Sequence, residues 1–174
     1  TYAAAISKNC RPSPSATAAI TLTRSLARLV DATLTELWAA TLMPAGAALV
    51  AAGGFGRGEL FPHSDVDVLV LLPTGMASED ARPAVERFIT ACWDIGLEIG
   101  SSVRSIEECV AESARDVTVQ TALLESRLVC GPRRQFQALH KRLAAERDPR
   151  AFLRAKTLEM LQRPLQRLRR LALH

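Results

Sequence analysis

Aromatic side chains are scarce in this sequence, at 5% of 174 residues. None is interleaved among the arginines near the C-terminus, where base stacking would need them. Nucleic acid is therefore not expected as a partner. Cysteine is also sparse. Cys10, Cys92, Cys109 and Cys130 include no CxxC pair, which excludes zinc-ribbon and thioredoxin-like readings. Four cysteines are too few for a disulfide scaffold, so a reducing, cytoplasmic setting is expected, with the thiols as small buried apolar groups. No apolar run approaches the roughly 20 residues of a membrane span. The longest, Val66 to Pro73, is broken by Asp67. The stretch Thr1 to Ser15 is rich in Ala, Ser and Pro but lacks the order of a signal peptide, and it reads as a disordered lead-in.

What is present is an ordinary globular composition, 48% hydrophobic and 23% charged, in a length that fits one domain or a fragment of a larger protein. The net charge of +4 conceals a split. Residues 133–174 carry 12 basic and 3 acidic side chains, net +9, which leaves residues 1–132 at net −5. The body is acidic and the tail basic, unlike a uniformly basic nucleic-acid-binding domain.

Periodicity supplies the elements. Leu22, Leu26, Leu29, Val30, Leu34, Leu37 and Trp38 recur at helical spacing, predicting a helix from Ala16 to Leu42. Ala47 to Ala52 reads as a buried strand, Gly53 to Ser64 as a glycine-rich loop and Val66 to Leu72 as a β-branched strand. Ser78 is a candidate N-cap for a helix to Asp94, with Glu79 and Asp80 suiting its positive end. Leu97 to Arg104 alternates as a strand. Ser105 and Glu108 form a capping-box pattern, and Asp116 can cap a helix spanning Val117 to Val129. Arg133 to Arg147 is amphipathic, and Asp148-Pro149 opens a last helix that Pro164 should kink or end. The whole predicts a mixed α/β fold: a main unit at 16–131 and a helical extension at 132–174. Trp38 and Trp93 are expected in the core, with His140 packing on its helix.

The chemistry concentrates between Gly53 and Val70. Asp65 and Asp67, one residue apart at the head of a strand, point to the same face at a Cα spacing of about 6–7 Å. Two carboxylates on an apolar strand repel and lose hydration, and a divalent cation such as magnesium removes both penalties. Upstream, Gly53, Gly54, Gly56 and Gly58 let backbone N–H groups approach a polyphosphate, and Arg57 adds a phosphate-matching fork. A Rossmann fingerprint is excluded because it needs glycines running into a helix, and here Pro62 and Ser64 follow and then another strand. A Walker loop is excluded because the segment has no lysine. Phosphoryl or nucleotidyl transfer is the matching chemistry.

The run from Gly53 to Asp67 resembles the nucleotidyltransferase domain of the bifunctional uridylyltransferase/uridylyl-removing enzymes that modify the PII nitrogen-signalling protein. Trp93 to Gly100 with Ser102-Val103-Arg104, and Asp116 to Thr121 with Leu123 to Arg127, are similar too. The resemblance implies a polymerase-β-like nucleotidyltransferase fold, two magnesium ions, and transfer of UMP from UTP to a PII tyrosine with release of pyrophosphate. It implies that the double glycine and Ser64 hold the triphosphate and that Asp65 and Asp67 hold the metals. Phe55 and Ser101 depart from the family's usual Tyr and His.

On the Leu97–Arg104 strand, Glu98, Gly100, Ser102 and Arg104 share one face. Glu98 is its only acid and is the candidate third carboxylate; Arg104 can neutralise phosphate or pair with Glu98. His63 can assist proton transfer or simply position Ser64. No His-Asp motif for uridylyl removal is found, so this chain is expected to carry the transferase half alone, cut from a longer regulator. Leu158, Leu161, Leu165 and Leu168 form a stripe suited to the chain's own domain, a further domain or self-association. Related nucleotidyltransferases with another nucleotide or acceptor, and a catalytically silent binding module, are the alternatives.

Overall fold

A near-continuous apolar run can be satisfied only where both faces of a strand are covered, and Val66–Leu71 is such a strand. In the computed structural model, which describes the backbone of residues 16–171 and the side chains of 18–161, it lies inside a four-stranded sheet. The lead-in expected at Thr1 to Ser15 falls outside the described residues.

The order of elements is α1 (Ala16–Ala40), β1 (Ala48–Ala51), α2 (Gly53–Gly56), β2 (Val66–Leu71), α3 (Ser78–Asp94), β3 (Ile99–Arg104), α4 (Ile106–Arg115), α5 (Val117–Leu124), β4 (Arg127–Cys130), α6 (Arg133–Glu146) and α7 (Pro149–Leu171). The sheet order is β3-β2-β1-β4. β1 runs antiparallel to β2 and β4, while β2 and β3 are parallel and joined through α3.

The alternation of β2 sorts its side chains into two layers. Val66, Val68, Val70 and Leu72 meet Ala27 and Leu34 of α1 and Ala81, Val85, Phe88 and Cys92 of α3. Leu69 and Leu71 meet Ile106, Cys109 and Val110 of α4, Leu123 of α5, and Leu139 and Leu143 of α6. Each fully buried Leu or Phe in these layers contributes about 1.5–3 kcal/mol. Trp38 packs edge-on against Phe88 at 5.5 Å between ring centroids.

Several expectations are corrected. The helix predicted from Val117 to Val129 stops at Leu124, and Arg127–Cys130 is an edge strand; Ser126 accommodates the break by donating its hydroxyl to the Leu123 carbonyl. The segment read as a loop from Gly53 opens with a helical turn. Ser78 lies inside α3, whose N-cap is Ala77 with no side-chain cap bond. Trp93 is 61% exposed rather than core, and Leu22 and Leu29 face solvent. The last helix continues through Pro164 to Leu171, so proline does not end it.

The capping box at Ser105 and Glu108 forms with both bonds, and Asp116 caps α5 by accepting from Thr118 N at 2.6 Å. Asp148 accepts from Arg150 N and Ala151 N at the start of α7. Leu158 and Leu161 are 59% and 66% exposed. Leu165 and Leu168 lie outside the described side chains.

Candidate nucleotidyltransferase site

Position 67 of β2 lies on the face shared with Leu69 and Leu71, but one pleat nearer the strand's start, where the helical layer ends. Its partner in register on β3 is Gly100. On the other side stands Gly53, held in the left-handed region at φ +56 at the head of α2. A Cβ on Gly100 would come within 2.8 Å of Asp67 Oδ1, and one on Gly53 within 3.2 Å of Oδ2. The carboxylate therefore occupies a slot that exists because both neighbours lack side chains.

Burial pushes the Asp67 carboxyl up from its ordinary value, and the charge of Asp65 pushes it further in the same direction. Asp65, immediately before β2, is exposed, and Asp67, though partly desolvated, also keeps one side open to solvent. Asp67 accepts no side-chain hydrogen bond from a described residue. An under-compensated carboxylate beside a second one, with room around it, fits a divalent cation.

Asp67 and Gly53 open into a cavity of about 420 Å³. One wall is the polar face of β3, with Gly100, Ser102 and Arg104; the opposite wall is α5, with Asp116, Thr118 and Val119. The expected face of β3 is thus formed, with Ile99 and Val103 packed on the opposite side. Asp116 is the acid across the cavity from Asp67, a placement that its reading as a cap alone did not give.

Other candidate residues are not gathered here. Glu98 is exposed and precedes β3, outside the cavity lining. Its carbonyl accepts from Val66 N at 3.1 Å, which sets it level with Asp65. Among the described residues, no three His, Cys, Asp or Glu side chains are assembled as a metal cluster. Ser64 is exposed in the turn after Phe61, and His63 adopts a left-handed φ of +65.

Gly54 lies in the α2 turn near the Arg57 guanidinium, and Gly56 is buried against the carbonyls of Ala51 and Glu125, where a Cβ would clash. Gly58 takes a left-handed φ of +74 beyond the turn. Arg57 is engaged by Glu59 at 3.2 Å and Glu125 at 2.5 Å and does not line the cavity.

A structural residue that periodicity could not flag is Arg127. Its guanidinium grips Asp31 bidentately at 2.8 and 2.9 Å, donates to the Phe55 carbonyl at 3.2 Å and lies 4.9 Å over the Phe55 ring. One side chain thereby fastens the α2 turn to α1 and β4 and fixes the glycines beside Asp67.

His140 is half-buried against Phe136, within 3.2 Å of the Ser126 hydroxyl, and burial lowers its pKa. Cys92 and Cys109 are buried and Cys130 is half-buried, with burial pushing all three thiols up to about 11. No described helix is long and apolar enough to cross a membrane.

A paired-carboxylate strand behind a glycine turn, in this mixed sheet flanked by helices, defines a nucleotidyltransferase domain. The family model for that domain matches residues 34–129, and the chain belongs to this family. It is 57% identical over 143 residues to the bifunctional uridylyltransferase/uridylyl-removing enzyme of Cupriavidus pinatubonensis. It is 54% identical over 144 residues to the enzyme of the same name from Cupriavidus metallidurans. Each match covers 82% of this chain and 16% of the relative, so the chain spans about one sixth of the length of these curated relatives. A solved toxin–antitoxin structure with AMP-PNP aligns over 83% of this chain and 98% of its own, at 13% identity and a TM-score of 0.45.

Proposed function

We propose that this domain is a magnesium-dependent uridylyltransferase that moves UMP from UTP to a tyrosyl hydroxyl of a PII-type protein. The observation that carries the reading is the Asp67 carboxylate, raised in pKa and seated between Gly53 and Gly100 at the mouth of the cavity. Asp65 and Asp67 are the proposed metal ligands, with Glu98, level with Asp65 just before the next strand, as the third. When bound, magnesium neutralises the carboxylates and the phosphate oxygens that meet there. Gly53 and Gly54 at the α2 turn present backbone to the triphosphate, and Arg104 offers a cation from the cavity wall.

The hydroxyl oxygen of the acceptor forms the new bond to the α-phosphorus. The bond from that phosphorus to the pyrophosphate oxygen breaks, and the hydroxyl proton leaves to solvent. The chain's own part is to bind, align and shield charge. The strong identity to uridylyltransferases favours UTP and PII over other nucleotides and acceptors. No uridylyl removal is expected from this chain.

The test is incubation with magnesium, labelled UTP and PII. Label on PII that disappears in the Asp65→Asn/Asp67→Asn variant supports the reading. Absence of label with wild-type protein, together with absence of thermal stabilisation by UTP, rejects it. A panel of triphosphates read by thermal shift separates uridylyl from adenylyl transfer, since only the preferred nucleotide stabilises strongly. The silent-module alternative gains its support from the lack of a three-acid cluster among the described residues. It requires nucleotide and partner binding to survive the double Asn variant unchanged.

A further inference from the structure

A second concave site lies on the opposite side of the α2 turn. It has a volume of about 270 Å³, and four of its lining residues are arginines: Arg24 and Arg28 of α1, Arg57 at the end of α2 and Arg127 of β4. Arg24 and Arg28 are one helical turn apart and flank the buried Ala27, so both lie along the same edge of α1. Like charges at this spacing destabilise a helix by a few tenths of a kcal/mol unless something neutralises them.

The four cations are not equally committed. Arg127 is consumed by Asp31 and by the Phe55 carbonyl. Arg57 gives Nε to Glu59 and Nη1 to Glu125, leaving Nη2. Arg24 and Arg28 have no ion pair or side-chain hydrogen bond among the described residues, so all of their donors are available. Gly58 adds no side chain to this wall, and a Cβ there would meet nothing within 4 Å.

We propose that this pocket binds a phosphate-class anion, at a place distinct from the Asp67 cavity. The uncommitted forks of Arg24 and Arg28, with the remaining Nη2 of Arg57, match the several oxygens of a phosphoryl group, while Arg127, held by Asp31 and Phe55, adds positive charge to the wall. Arg57 links the pocket to the α2 turn, because it lines the pocket and its Nη2 lies 3.7 Å from where a Cβ of Gly54 would be. An anion drawing on Arg57 competes with Glu59 and Glu125 for that side chain, and so touches the turn that seats Asp67. Free pyrophosphate, or the tail of a nucleotide, has the required chemistry.

The experiment is calorimetric titration of the full chain with inorganic pyrophosphate, in chelator and without magnesium. Wild type and Asp65→Asn/Asp67→Asn should bind alike. Arg24→Gln/Arg28→Gln, on an exposed helix face that tolerates glutamine, should weaken binding roughly tenfold or more, as loss of charge-assisted hydrogen bonds implies. Circular dichroism verifies that the variant folds.

A parallel titration with UTP and magnesium identifies the source. Unchanged UTP affinity in the arginine variant assigns the pocket to a free anion. Weakened UTP affinity with unchanged UMP affinity assigns it to the nucleotide's phosphate tail. The proposal is overturned if the arginine variant binds pyrophosphate as wild type does, if the aspartate variant loses binding, or if Arg82→Gln/Arg115→Gln weakens it equally by lowering overall charge.

Discussion

Replacing Asp67 by asparagine should stabilise this protein in the absence of metal while removing the proposed transferase activity. The carboxylate is partly desolvated and stands near Asp65, and both effects raise its pKa above the ordinary 3.8. Taking the Cα spacing of about 6–7 Å as the charge separation, two unit charges at an effective dielectric constant near 40 repel by about 1 kcal/mol. Solvent access on the open side reduces that toward the lower end of what exposed pairs show. For a chain of this length, 1 kcal/mol corresponds to about 2–4 °C in Tm.

The sign follows from linkage. A carboxyl whose folded pKa is raised favours the folded state below the unfolded value and loses that advantage as pH rises through the folded value. Wild type should therefore trail Asp67→Asn at pH 7 and match it near pH 3, below the ordinary carboxyl value. Scanning calorimetry in chelator at both pH values checks this. Added magnesium should then raise the Tm of wild type and leave that of the variant unchanged. A variant less stable than wild type at pH 7 in chelator would refute the reasoning, because Asp67 would then be a satisfied structural acid and not a charge waiting for a cation.

Gly100→Ala should fold, since its Cβ meets only the end of a side chain, yet displace Asp67 Oδ1 from 2.8 Å and abolish magnesium-dependent thermal stabilisation; retention of that stabilisation contradicts the slot. Arg127→Lys forfeits the bidentate grip on Asp31 and the Phe55 carbonyl bond, and should cost about 1–3 kcal/mol in urea denaturation. A loss below half a kcal/mol would mean that the α2 turn is fastened elsewhere. Cys92, Cys109 and Cys130, with thiols pushed up to about 11, should resist a thiol reagent at pH 8 in native buffer and react only on unfolding. Prompt modification of these three would contradict their burial.

The elements that the sequence made legible are those whose signal is local. Hydrophobic spacing marks α1 through Leu34 and Leu37, the unbroken Val66–Leu71 run marks a doubly covered strand, and Ser105 with Glu108 marks a helix start whose two bonds form. β4 was not legible because only Glu125 and Ser126 separate it from α5, and Leu128 and Val129 fit a continuation of the helical spacing of Leu124. What ends the helix is Ser126 turning back to the Leu123 carbonyl, and what makes a strand of Arg127–Cys130 is the free edge of β1, a partner distant in sequence. Trp93 read as core because large aromatics usually are; here it lies at the last turn of α3, past Cys92, the last core residue of that helix.

The site divides in the same way. Asp65, Asp67 and the glycines are neighbours in sequence, and their spacing alone carries the chemistry. The third acid depends on which strand lies beside β2 and in what register. With Asp67 opposite Gly100, the place on β3 nearest the Asp67 carboxylate belongs to a residue without a side chain, and the geometry requires this because a Cβ there would collide with Oδ1. In the proposed metal site a third carboxylate would therefore approach from one pleat earlier, where Glu98 stands beside Asp65, or from across the cavity, where Asp116 caps α5. Glu98→Gln and Asp116→Asn separate these routes. If Glu98 is the ligand, Glu98→Gln lowers magnesium affinity and leaves the fold intact, whereas Asp116→Asn, whose amide oxygen still caps Thr118, leaves magnesium affinity unchanged. The reverse pattern moves the third acid to α5 and makes the glycine at position 100 the reason.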